Sequence, residues 1–195
     1  KWIALVGSVA QLALAFVLFF IYKHERETGN ATQMLFEQNY PLFKSLNINF
    51  HLGVDGISIA MILLTAFVVV AGVLVSWNIE KMTKEFYFLL LLLGMGAYGF
   101  FISLDLFILF FFLEISVIPK YLLIGIWGSG RKEYSANKLA LMLMGGSALI
   151  LVGILGLYFA AGRSFDIMEL SKATGSLPYQ QILFPLLFVG FGVFT

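Results

Sequence analysis

The chain contains no cysteine. That single absence removes disulfides, thiol catalysis, iron–sulfur ligation and cysteine-rich zinc sites together, so any electron carrier must sit elsewhere and no cofactor is expected in this chain. Charge is scarce as well: 12% of the 195 residues are Asp, Glu, Lys or Arg, against about one-quarter in soluble domains. The formal net charge is +1, and the twelve Lys and Arg are scattered along the chain. No basic field exists for a nucleic acid, which is discarded as a partner. No small-residue cleavage site precedes Lys23, so the first apolar block reads as a membrane span and not as a signal peptide. No Met opens the sequence, and Thr195 closes it inside an apolar run, which points to an internal piece of a longer protein.

What is present is hydrocarbon. Apolar residues make up 61% of the chain and arrive in blocks, each close to the roughly twenty residues a helix needs to cross about 30 Å of bilayer core. The expected fold is therefore all-α, a polytopic transmembrane helical bundle with five full spans and a truncated sixth. Their expected bounds are residues 2–22, 57–77, 86–104, 106–127, 139–161 and 182–195, in a single membrane domain over residues 1–195. The apolar run 86–127 is too long for one crossing, and Ser103 with Asp105 is its polar break, so two spans meet there in a tight turn. Between the first two spans, Lys23, His24, Glu25, Arg26 and Glu27 precede an amphipathic stretch through Phe36, Tyr40, Leu42 and Phe43, expected to lie against the membrane surface. Lys1, Lys81, Lys84, Arg131 and Lys132 flank short loops on one face, with Trp2, Trp77 and Trp127 at span ends on the same face. Both signals assign that face to the cytoplasm.

Ionisable groups inside such spans carry the functional argument. Glu114 lies near the middle of the 106–127 span among Leu109, Phe110, Phe111, Phe112, Leu113, Ile115, Val117 and Ile118. A carboxylate at that depth costs about 2.5–3.5 kcal/mol on insertion scales, so it faces a partner, a wet cavity or another helix. One reading is a proton relay whose charge is switched by a movable neighbour; the other is a hydrogen-bonded group that glues helices. Lys120 follows Pro119, which removes an intrahelical hydrogen bond and can kink the helix. Six residues separate Lys120 from Glu114, about 9 Å along the axis and roughly 240° around it, so they do not share a face. Lys120 is either a second relay station, or a cation acting on Glu114 through a third group, or a side chain snorkelling toward Trp127. Lys138 opens the fifth expected span, either bringing a cation into the bundle or contacting headgroups.

Asp105 and Asp55 precede spans, where a carboxylate caps the free N–H groups of the following helix. His51 reads as a lone interfacial histidine, and no metal cluster stands out. Gly94, Gly96 and Gly99, then Gly145 and Gly146, then Gly153 and Gly156 lie inside spans, where small residues let helices approach closely. None sits in a nucleotide fingerprint.

The segments FHLGVDGISIAMILLT and SLDLFILFFFLEISVIPKYLLIGIWG resemble the antiporter-like subunit M family of bacterial NADH:quinone oxidoreductase, the counterpart of subunit 4 of mitochondrial complex I. The resemblance runs over the whole chain and is strongest between His51 and Gly128. It implies a subunit of the bacterial inner membrane, packed among other membrane subunits and lipid. That subunit has no redox centre of its own and moves protons with energy from quinone reduction elsewhere in the complex. It also implies that the family's first helix and C-terminal half lie outside this sequence. Under the resemblance Glu114, in FFFLE, is the proton-handling carboxylate, and Lys138 matches a lysine at the start of the next helix. The lysine that the family brings to the glutamate from the following helix falls on Phe194, while Lys120 stands where relatives often carry an uncharged residue. These departures suggest that the cation acting on Glu114 has moved to Lys120. Two alternatives remain beside this reading: a subunit of a multisubunit cation/proton antiporter or membrane-bound hydrogenase, and a passive membrane scaffold.

Overall fold

A computed structural model describes residues 1–29, 32, 34–160, 162–173 and 179–194. In chain order the elements are α1 (Trp2–Glu27), β1 (Leu35–Phe43), β2 (Ile48–Val54), α2 (Gly56–Val75), α3 (Thr83–Ile102), α4 (Leu106–Trp127), α5 (Lys132–Ala160), α6 (Ile167–Ala173) and α7 (Gln180–Gly192). Five helices, α1 to α5, are long and apolar enough to cross a membrane; α7 is a shorter apolar helix of 13 residues. The polytopic helical bundle read from the sequence is the architecture. Neighbours in sequence are neighbours in space: α1 packs on α2, α2 on α3, α3 on α4 and α4 on α5, with α7 returning along α5.

Close approach between these helices rests on glycine, as lipid gives apolar side chains little reason to associate. A Cβ at Gly99 would lie inside the Phe112 ring, and one at Gly96 would meet the Ser116 hydroxyl, so α3 and α4 touch along a side-chain-free groove. Along α5, Gly146, Gly153 and Gly156 receive Val193, Leu187 and Leu183 of α7 in turn. Pro119 lies inside α4 without ending it and is fully buried.

The two ends of the bundle differ. At one end the Trp2 and Trp77 rings meet edge to face with centroids 5.1 Å apart. The Trp127 indole packs on Phe86 there and donates Nε1–H to the Lys81 carbonyl at 2.8 Å. At the other end β1 and β2 form an antiparallel hairpin. The amphipathic stretch through Phe36, Tyr40, Leu42 and Phe43, expected against the membrane surface, forms strand β1. Its partner strand alternates Ile48, Phe50, Leu52 and Val54 with Asn49, His51 and Gly53, a period of two, and both faces are covered, since His51 and Gly53 are buried as well as Ile48 and Val54. Pro41, which lacks an N–H, is accommodated in β1, one of the hairpin's two strands.

The α3–α4 turn threads between this hairpin and the segment before α6. Leu104 N–H donates to the His51 carbonyl at 2.8 Å, Leu106 N–H to the Phe165 carbonyl at 2.9 Å, and Ile167 N–H to the Leu104 carbonyl at 2.9 Å. Two expected bounds also shift. α1 continues through Glu27, and α5 begins at Lys132 instead of residue 139, because Glu133, Ser135, Ala136 and Asn137 continue the helix past the point where the apolar run ends. At 29 residues α5 is about 43 Å long, so its first turns stand outside the hydrocarbon. The expected last residues of the fifth and sixth spans, Ala161 and Thr195, lie outside the described residues.

Candidate functional site

Eight residues of α4 separate Glu114 from Leu106, which sets it about 12 Å into the span. Tyr121 and Gly125, seven and eleven residues on, share its helical stripe. Both meet α5: Tyr121 Oη donates to Asn137 Oδ1 at 3.1 Å, and a Cβ at Gly125 would touch Ala136. Glu114 thus belongs to the α5-facing stripe of α4. Its Oε1 is buried and has no hydrogen-bond partner among the described residues. Leaving a carboxylate oxygen unpaired in an apolar setting is costly.

Lys120 lies on the other side of the same helix. Its Nζ stands 5.9 Å from the centroid of the Phe194 ring, within cation–π range. It lines a cavity of about 780 Å³ between α2, α3, α4 and α7, together with Thr65, Gly94, Leu113, Ser116 and Phe191. The side chain points into the bundle and not toward Trp127, and among the described residues it has no carboxylate partner within ion-pair distance. Lys138 is exposed in the second turn of α5, two residues and therefore about 200° beyond Ala136, which packs on α4. The structure does not bring Glu114, Lys120 and Lys138 together within this chain.

Capping is confirmed at both expected aspartates. Asp55 accepts the Ser58 N–H at 2.7 Å. Asp105 Oδ1 accepts from Phe107 N–H at 2.9 Å and Ile108 N–H at 3.1 Å, while its Oδ2 takes Asn49 N–H of β2 at 3.1 Å. Burial holds the Asp105 carboxyl above the usual carboxylate range; the N–H donors of Asn49, Ile108 and Phe107 oppose that, and the negative charge of Asp166 adds to it.

His51 is not the lone interfacial histidine expected. It is buried, and its Nδ1 lies 2.6 Å from Asp166 Oδ2. Asp166 Oδ1 meanwhile caps α6 through the N–H groups of Met168 at 2.8 Å and Glu169 at 3.2 Å. Asp166 escaped the sequence reading, although Asp-x-x-Glu is a legible capping signal. Its pairing with a residue 115 positions away was not legible.

Fold and site define an integral, multi-pass helical membrane protein whose spans hold a carboxylate with one oxygen unpartnered, and an ammonium without an ion pair, among the described residues. Residues 103–194 match the family model described as NADH:quinone oxidoreductase/Mrp antiporter, TM. Among curated proteins it is similar to NAD(P)H-quinone oxidoreductase chain 4, chloroplastic, of Angiopteris evecta, with 34% identity over 195 residues. The match covers 99% of this chain, and the chain spans 38% of that relative's length. Its fold resembles a chain of respiratory complex I from Thermus thermophilus with bound NADH at a TM-score of 0.77 and 22% identity, covering 97% of this chain and 38% of that one. It also resembles a chain of the Mrp complex from Dietzia sp. DQ12-45-1b at a TM-score of 0.71 and 15% identity, covering 97% of this chain and 20% of that one.

Proposed function

We propose that the chain is part of a proton-translocating membrane subunit of an NADH:quinone oxidoreductase, coupling quinone reduction elsewhere in the complex to proton transfer through buried charged groups. One observation carries the reading: a mid-span carboxylate, Glu114, whose Oε1 is buried and unpartnered. Such a group exchanges a proton when the charge around it changes, since an approaching cation favours the anion and its withdrawal favours the neutral acid. Lys120 is the cation on its own helix. It acts from the opposite face, across Pro119, and a displacement of Phe194 changes the ammonium's surroundings and with them the field at Glu114. Lys138 plays no direct part in this exchange within the chain; its exposed position suits a headgroup or a neighbouring membrane subunit. The tryptophan end is the cytoplasmic side of a bacterial cell membrane in this reading. Other membrane subunits of the complex and lipid cover the exposed apolar faces.

The test uses the assembled complex in sealed vesicles. Glu114→Gln is expected to leave assembly intact and remove most proton pumping per NADH oxidised. Normal pumping by that variant returns the chain to a packing scaffold. Lys120→Met is expected to lower pumping per NADH with assembly retained, and an unchanged ratio removes Lys120 from the mechanism. The family model's description also spans Mrp antiporters; proton movement driven by a cation gradient, with no dependence on NADH, favours that branch.

A further inference from the structure

At the hairpin end, β2 is held by two aspartates that each work in two directions. Asp105 uses one oxygen to cap α4 and the other to take Asn49 N–H. Asp166 uses one oxygen to cap α6 and the other to hold His51. Asp105 and Asp166 are themselves joined by a β-bridge. One buried carboxylate therefore holds the imidazole while the other holds the backbone of the strand that carries it. His51 is only 8% exposed, and among the described residues its Nε2 makes no hydrogen bond, the ring's one contact being through Nδ1. With Nδ1 fixed by Asp166, a proton can join or leave Nε2 without breaking that contact.

We propose that His51, held by Asp166, is a proton-exchange site through which the hairpin end of the bundle gives protons to, and takes them from, the adjoining water. The step moves one proton. Imidazolium releases its Nε2 proton to water, the Nδ1–H stays donated to Asp166, and the charge of the His51–Asp166 pair falls from 0 to −1; uptake reverses it. The remaining charged groups of the neighbouring elements lie at the margins: Glu37 of β1 beside Gly53, Asp55 ahead of α2, Glu169 in the first turn of α6 and Arg163 in the α5–α6 turn. That the protons exchanged are those handled at Glu114 rests on the function proposed above; the exchange itself does not.

Two measurements on the assembled complex decide it. Gln at position 51 keeps an amide donor for Asp166 and loses the titration. His51→Gln is expected to assemble and oxidise NADH, to slow proton delivery to the hairpin side several-fold, and to lose a limb of the pH profile. An unchanged rate and profile overturns the proposal. If the variant fails to assemble, infrared difference spectra of the wild-type complex across pH 5 to 9 read the same group directly, with Asp166→Asn as the partner control. An imidazole band that titrates, and whose midpoint falls in Asp166→Asn as the imidazolium loses its counter-charge, supports the site; no midpoint that moves with Asp166 overturns it. Normal pumping by Glu114→Gln alongside a titrating His51 band would sink the function proposed above and leave this site standing.

Discussion

Asp105 has a carboxylate's three best reasons to be charged and one stronger reason not to be. Three N–H groups point at it, yet it is fully buried and shares its patch with Asp166. Its carboxyl is raised above the usual range in the folded state, so the folded protein binds this proton more tightly than the unfolded chain does. The stability that follows is present below the ordinary carboxylate range and is lost as pH rises through the raised value. Thermal unfolding in detergent, compared between wild type and Asp105→Asn, is expected to show a wild-type gain on acidification that the variant lacks; parallel pH curves would refute it. At neutral pH, Asn at position 105 still accepts from Phe107 and Ile108 through its carbonyl, but its NH₂ opposes the Asn49 N–H. A loss of about 1–2 kcal/mol is expected, with faster amide exchange at Asn49 as its local signature. The capping role was legible from Asp105 standing alone between two apolar runs. Its second oxygen was not, because the partner is the backbone of a strand that local sequence around Asp105 does not mention.

At the scale of elements, the α3–α4 and α5–α7 seams are set by glycine. Gly99→Val puts two methyls where the Phe112 ring sits, and overpacking of this kind costs about 1–3 kcal/mol. Because Phe112 lies two residues from Glu114 on α4, the displaced helix also carries the carboxylate off its α5-facing position. Gly99→Val is expected to lower both thermal stability and pumping, whereas Gly145→Val, where nothing lies within 4 Å, lowers neither; equal effects would refute the seam argument. The spans were readable because length and hydropathy suffice for a helix in lipid. The hairpin was readable in principle from Ile48, Phe50, Leu52 and Val54, but attention to helical length hid a period of two. The start of α5 was missed for a different reason: hydropathy marks where lipid ends, and α5 runs on into the interface through Lys132, Glu133 and Ser135. Glu114 stood out by its depth, whereas the facing of Lys120 toward Phe194 depends on α7, an element far along the chain.

For the whole molecule, alternation of the spans fixes which loops share a side. α1 to α5 each reverse direction, so the tryptophan end holds the α2–α3 and α4–α5 connections, while the opposite end holds the hairpin, the α3–α4 turn and the segment before α6. The chain has no native cysteine, which makes each introduced thiol the sole label site in this segment. Lys132→Cys and Lys81→Cys are expected to react with a membrane-impermeant maleimide from one side of sealed vesicles, and Glu37→Cys and Arg163→Cys from the other. The separation follows from helix parity alone and does not depend on the proton-transfer reading. The side on which Lys132→Cys reacts then settles orientation: with short-loop Lys and Arg retained in the cytoplasm, it is labelled in inverted vesicles and protected in right-side-out ones. Labelling of Lys132→Cys and Glu37→Cys from the same side would mean that one of the five helices does not cross, and would undo the placement of Glu114 at mid-membrane on which the proposed function stands.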